Sequence, residues 1–130
     1  MAKRRARPSR AYTEGLKVRR RWLGREYVDK AFAEADDFSI DLQHYVTEHG
    51  WGASWARGVL PMKTRSIMNL AMISALNRPH ELELHLRAAL RNGITKREVK
   101  EIFLHVATYC GAPAAIDSFR VARKVLAEKK

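Results

Sequence analysis

The chain has 130 residues, 46% of them hydrophobic, which suits one compact domain and is marginal for two. No apolar run approaches the roughly 20 residues that span a bilayer, no apolar stretch follows the charged N-terminus as in a secretory signal, and a single cysteine, Cys110, excludes an internal disulfide or a multi-cysteine metal site. The formal net charge is +11, and Lys3, Arg4, Arg5, Arg7 and Arg10 concentrate part of it in a tail over residues 1–11.

Together these features describe a cytoplasmic protein with no membrane segment. The tail has two readings. It could hold a polyanion such as nucleic acid through phosphate contacts, or extend the chain as a disordered, solubilising segment. It has no aromatic residue to stack bases, which favours the second and argues against nucleic acid as a partner. The basic body suits a small anionic substrate as well as it suits a polyanion.

Alternating strand patterns and Asn-Gly or Asp-Gly hairpin signals are missing, so the expectation is an all-α fold of about six helices. The first helix is predicted from about Thr13 to Ala35, with Leu16, Leu23, Tyr27, Ala31 and Phe32 near one stripe. Arg19-Arg20-Arg21 reads as its surface, from which one arginine could reach a pocket. Ser39 is placed to cap a second helix, with Leu42, Tyr45, Val46 and His49 on one side and Gly50 as its stop. Trp51 to Leu60 reads as a loop with at most one short turn. Its Trp51 and Trp55 could anchor that loop to the core or wall a pocket.

Pro61 suits the first turn of a third helix that runs to about Leu76. Ile67, Leu70, Ala71 and Ser74 give it a packable face, and Met68, Ala75 and Leu76 widen the apolar surface, so this helix should be central. Met62, Met68 and Met72 fill core gaps in this reading. Asn77 and Pro79 break the helix, and a fourth runs from Pro79 to Asn92-Gly93. Thr95-Lys96-Arg97-Glu98 is a capping box that opens a fifth helix through about Tyr109. Cys110-Gly111-Ala112-Pro113 interrupts it. A last helix carries Phe119, Ala122, Val125 and Leu126.

The densest set of ionisable groups is Asn77-Arg78-Pro79-His80-Glu81-Leu82-Glu83-Leu84-His85-Leu86-Arg87. Glu81 and His85 are four residues apart, which on a helix puts them on one face within hydrogen-bonding reach. A carboxylate beside an imidazole can fix one tautomer and keep a proton available near neutral pH. The competing reading is a solvated helix face. His44 with Glu48, and Glu101 with His105, share the spacing and carry the same two readings. His80 falls in a first turn, where a cation sits poorly against the dipole, and reads as solvated. His49 reads as packed or capping, and Cys110 as a small packed apolar group.

Leu23-Gly24 with Tyr27-Val28-Asp29 is followed by Glu48-His49-Gly50-Trp51-Gly52 and by Arg65-Ser66 before an apolar helix. After these come Leu76-Asn77-Arg78, Glu81, Leu84-His85-Leu86-Arg87-Ala88-Ala89-Leu90 and Tyr109-Cys110-Gly111-Ala112-Pro113-Ala114-Ala115. This order of motifs carries a resemblance, from Tyr12 to about Leu126, to the carboxymuconolactone decarboxylase family. It implies a single alkyl hydroperoxidase D-like helical domain over residues 12–130. The disulfide reductases of that superfamily carry Cys-x-x-Cys-x-x-x-His on the corresponding helix. Here Arg78 and Glu81 stand at the cysteine positions and His85 at the histidine. Dithiol chemistry needs two thiols, so this chain is not expected to run it.

The implied activity is removal of CO2 from 4-carboxymuconolactone, leaving 3-oxoadipate enol-lactone, in the breakdown of aromatic acids such as protocatechuate. When the C–C bond breaks, its electrons can pass through the ring double bond onto the lactone carbonyl oxygen. The substrate is then its own electron sink, and neither metal nor organic cofactor is expected. The protein must stabilise the developing oxyanion, protonate the carbon beside the carbonyl, and hold the carboxymethyl arm. His85 is expected to move the proton with Glu81 orienting or recharging it; the reverse assignment, with a protonated Glu81 as the acid, stays open. Arg65 and Arg78 are candidates for the side-arm carboxylate or the oxyanion, and Trp51 and Trp55 for an apolar wall. A homo-oligomer, trimer or hexamer, is also implied. Two alternatives remain: the same pocket acting on another lactone or enolisable acid, and a non-enzymatic polyanion binder.

Overall fold

A computed structural model describes residues 7–128, and the tail expectation for residues 1–6 lies outside them. Seven α-helices and no strand occur among the described residues, in agreement with the all-α expectation. They are α1 Arg10–Leu23, α2 Arg25–Glu34, α3 Ile40–Tyr45, α4 Met62–Ala75, α5 Pro79–Arg91, α6 Lys96–Cys110 and α7 Ala112–Leu126. The chain divides into two compact units, one ending at Leu60 and one beginning at Pro61.

In the first unit, Ser9 caps α1, its hydroxyl accepting from the Tyr12 N–H at 3.0 Å. The single long helix expected from Thr13 to Ala35 is in fact two. Gly24, at φ 95°, takes a conformation that L side chains rarely adopt, and the chain turns there into α2. An apolar stripe continuing through the glycine hid the break. Ser39 stands at the expected cap position, but its backbone is helical and its side chain makes no cap hydrogen bond. The turn belongs to Asp36, whose Oδ1 accepts from the N–H groups of Phe38 (3.1 Å) and Ser39 (2.9 Å).

Helix α3 does not stop at Gly50. It continues as a π-helical segment over Val46–Gly52, marked by the bond from Ala53 N–H to Glu48 C=O at 2.8 Å, and a 3₁₀ turn follows at Trp55–Arg57. The expected inner face is turned outward: Leu42 is 60% and Tyr45 63% exposed, and His49 is exposed against Tyr45 rather than packed or capping. Thr47 faces inward instead and is fully buried. Its hydroxyl donates to the Gln43 carbonyl at 2.7 Å and accepts from Arg19 at 3.0 Å. Arg19 also donates to Gln43 Oε1 at 2.8 Å and lies over the Phe32 ring. It is buried, so the arginine run is not a plain surface; Arg20 pairs with Asp29 across α1 and α2.

In the second unit α4 packs on α5, α6 and α7, the central place expected of it. Pro61 precedes α4 at the cap position. Leu70, Leu82, Leu86, Ile102, Phe103 and Val125 belong to one buried cluster, with Phe103 and Phe119 edge to face at 5.8 Å. Met72 is 53% exposed and does not fill the core, and Met68 is partly exposed as well. The α5 stop at Gly93 is a Schellman turn: Gly93 N–H bonds Leu90 C=O and Ile94 N–H bonds Ala89 C=O, with Gly93 at φ 99°. Gly111, at φ 93°, separates α6 from α7. Cys110 beside it is exposed, not packed as expected.

The capping box on α6 is formed in full. Thr95 Oγ1 accepts from Glu98 N–H at 3.1 Å, and Glu98 Oε1 accepts from Thr95 N–H at 3.0 Å. Lys63 reaches Glu98 at 3.1 Å and ties α4 to this cap. These bonds hold the Glu98 carboxyl below the usual carboxylate range, the Thr95 N–H being the largest cause. Thr95→Ala is expected to cost about 1 kcal/mol, read in urea unfolding as a lower midpoint at unchanged slope.

Candidate active site

The start of α5 is set by three successive residues. Asn77 adopts φ 54°, a left-handed conformation that Asn tolerates better than most residues, and ends α4. Arg78 follows at φ −117°, ψ 79°, and Pro79 occupies the first turn, where its missing N–H costs nothing. The helix then presents Leu82, His85, Leu86 and Ala89 as one buried stripe.

That stripe gives His85 an environment unlike that of the other histidines. It is 7% exposed, whereas Glu81, one turn earlier, is open to solvent. His85 Nε2 lies 3.9 Å from Glu81 Oε2. This is an ion-pair separation and too long for the hydrogen bond that the spacing suggested. Burial lowers the His85 pKa below its ordinary value of 6.5, and the Glu81 carboxylate opposes that shift without overcoming it. The resting imidazole is therefore neutral at neutral pH. It sits beside a carboxylate that reaches water, an arrangement able to take a proton inward when an anion binds.

This burial has a consequence for stability. The unfolded chain binds a proton at His85 below pH 6.5, and the folded chain binds it only at lower pH. Acidification through that window therefore favours unfolding, and the loss levels off below the folded value. His85→Asn is expected to flatten this part of the stability profile, seen as a smaller fall in melting temperature between about pH 7.5 and about pH 5.5.

The other expected residues are placed as follows. Arg65 is half-buried on α4. Arg78 is exposed, donates to the Leu76 carbonyl at 3.3 Å, and lines a cleft of about 10 Å³ with Ser74, Asn77, Pro79 and Ser118. That volume holds about one water and no substrate. His85 and Glu81 line neither this cleft nor three wider grooves of about 510, 660 and 450 Å³. Trp51 and Trp55 belong to the first unit. They are buried, with ring centroids 4.5 Å apart, and Trp22 lies 5.8 Å from Trp55. His85, Glu81, Arg65 and Arg78 all belong to the second unit.

The other acid–histidine pairs have different surroundings. His44 lies edge-on to Tyr12 and near Phe32, while Glu48 accepts from the Ser9 hydroxyl at 2.6 Å. Glu101 and His105 are exposed, and His105 sits against Tyr109. His80 is exposed, as its place in the first turn of α5 predicts. The described residues contain no group of three or more His, Cys, Asp or Glu arranged to hold a metal ion, and no helix among them is long and apolar enough to cross a membrane.

Residues 41–124, which include the whole of α4 and α5, match the Carboxymuconolactone decarboxylase family. The chain belongs to that family. It is 40% identical over 114 residues to a 4-carboxymuconolactone decarboxylase of Acinetobacter baylyi, covering 88% of this chain and 85% of that one. It is 41% identical over 117 residues to a nitrosuccinic acid decarboxylase of Metarhizium robertsii, covering 90% and 82%. An uncharacterised 15.0 kDa protein of Paracoccus denitrificans is 33% identical over 85 residues, 63% of each chain. This member of the carboxymuconolactone decarboxylase family is an enzyme, a carboxy-lyase.

Proposed function

We propose that the protein decarboxylates 4-carboxymuconolactone to 3-oxoadipate enol-lactone without a cofactor, as a step in the breakdown of aromatic acids such as protocatechuate. The observation that carries this reading is the 40% identity to the Acinetobacter baylyi enzyme over 88% of the chain. The departing carboxylate takes no electrons with it. They pass through the ring double bond to the lactone carbonyl oxygen, giving a furanolate, and a proton then adds at the carbon beside that carbonyl. His85 delivers the proton. Its imidazole is neutral at rest and stabilised in its charged form once a dianionic substrate lies beside it. Glu81, one turn away and open to solvent, supports the charged form and recharges it.

Arg65 and Arg78 hold the side-arm carboxylate and the carbonyl oxygen, leaving the departing carboxylate poorly solvated. The working form is a cytoplasmic homo-oligomer, a trimer or hexamer, and the partner in catalysis is a small anionic lactone rather than nucleic acid. Exposed apolar side chains on α4, at its C-cap and on α6, Met72, Leu76, Leu104 and Tyr109 among them, support association.

A second substrate is favoured by a specific observation, the 41% identity to the nitrosuccinic acid decarboxylase. Nitrosuccinic acid is also a dicarboxylic acid whose departing carboxyl adjoins an electron sink, so it asks for the same oxyanion stabilisation and carbon protonation. The test is CO2 release from each compound by the purified protein. Release from the lactone with at least tenfold higher kcat/KM than from nitrosuccinate supports the lactone reading. The reverse order assigns the nitro acid, and release from neither overturns both.

A further inference from the structure

The first unit carries an exposed knob. Phe38 is 96% exposed and is held outward by a turn whose N–H groups are fixed on Asp36. Leu42 and Tyr45 continue the apolar surface at helical spacing, at 60% and 63% exposure. Asp37 and Asp41 flank the phenyl ring in sequence. Both are exposed, and neither forms an ion pair with a described residue.

The second unit carries the converse. A groove of about 510 Å³ between α6 and α7 has an apolar floor of Val99, Phe103, Phe119 and Leu126. Its rim is Lys96, Arg97, Lys100 and Arg123, and no carboxylate lines it. Four other cations of this unit are matched by carboxylates: Lys63 with Glu98, Arg87 with Glu83 and Glu128, Arg120 with Asp117, and Lys124 with Glu83. None of the four rim cations forms an ion pair with a described residue.

We infer that the groove of one copy receives the Phe38 knob of a second copy, with Asp37 and Asp41 answering the rim cations. The occupant is this chain because the chain itself carries the complement: an aromatic anchor with two unpaired carboxylates, opposite a greasy floor with four unpaired cations. A net charge of +11 opposes indiscriminate self-association, so contact between copies needs a local patch of opposite sign. Knob and groove are different surfaces. Each copy therefore offers one of each, and the contact is head to tail, closing into a ring where the rotation allows. The inference rests on the homo-oligomer of the proposed function and names its contact surfaces; a single-chain wild type would sink both, whereas an oligomer insensitive to these reversals would sink the contact alone.

The test is sedimentation velocity on the full chain with charge reversals at exposed positions. D37K/D41K and K96E/R97E/K100E/R123E should each associate at least tenfold more weakly than the wild type, because each sets like charges against one another. Mixing the two should restore association, since every knob then meets a groove of opposite sign on the other variant. The combined variant D37K/D41K/K96E/R97E/K100E/R123E should regain the wild-type mass alone. A wild type at the single-chain mass of 14.9 kDa overturns the proposal, whether a foreign acidic partner or the chain's own knob fills the groove. Reversed variants that keep the wild-type mass, or variants that fail to associate on mixing, overturn it as well.

Discussion

His85→Asn is expected to lower kcat for lactone decarboxylation by roughly 10²–10⁴-fold while the protein remains folded. Asparagine keeps a polar side chain of similar reach but cannot carry a proton to carbon. Position selects His85 among the five histidines: it is 7% exposed on the core stripe of α5, whereas His49, His80 and His105 are exposed. Its pKa is lowered by burial and partly restored by Glu81. Glu81→Gln removes the restoring charge, so the His85 pKa falls further. If the protonated imidazole is the acid, the alkaline limb of the pH–kcat/KM profile then moves to lower pH, and turnover near neutrality drops less than in His85→Asn. If a protonated Glu81 were the acid, the order of the two variants would reverse. Steady-state kinetics across pH separate these outcomes, and near-normal kcat in both variants would falsify the proton assignment.

The sequence was most legible where a local rule acts alone. Thr95 with Glu98, Pro79 at a first turn and Gly93 as a stop each satisfy backbone groups within a few residues, and each stands where it was expected. It was least legible where burial depends on distant partners. Arg19 looks like its neighbours Arg20 and Arg21, yet Gln43 and Thr47 supply oxygens to it from a segment that only the fold brings near. The same inward turn of Thr47 leaves Leu42 and Tyr45 outside, against their hydropathy. At the candidate site, the spacing of Glu81 and His85 gave the shared face but not the difference in depth. That difference comes from Leu82, Leu86 and Ala89 turning the stripe inward, and it makes the histidine neutral at rest.

Gly15→Ala is expected to destabilise the first unit by about 3 kcal/mol or more, at the upper end of what overpacking costs. Alanine is the better helix former by about 1 kcal/mol, so a free position inside α1 would gain from the change. Gly15 is not free. A Cβ built there would lie 2.1 Å from the Thr47 carbonyl oxygen and 2.6 Å from the Gly52 nitrogen. Both are backbone atoms, so no rotamer change can relieve the clash, and α1 must move away from the π-helical segment. That movement also draws Arg19 from Thr47, leaving a buried guanidinium without one of its acceptors. Gly52→Ala meets the same wall from the other side, its Cβ 2.0 Å from the Ala11 carbonyl oxygen. Gly50 is the control. It lies in the same π-helical segment with nothing within 4 Å of a built Cβ, so Gly50→Ala should leave stability within about 0.5 kcal/mol of the wild type. Because Gly15 and Gly52 face each other, their effects should not add, the second substitution costing less once the first has opened the contact. Urea unfolding of the four variants checks the pattern, and a Gly15→Ala protein as stable as Gly50→Ala would show that the close approach of the two helical segments does not hold the unit together.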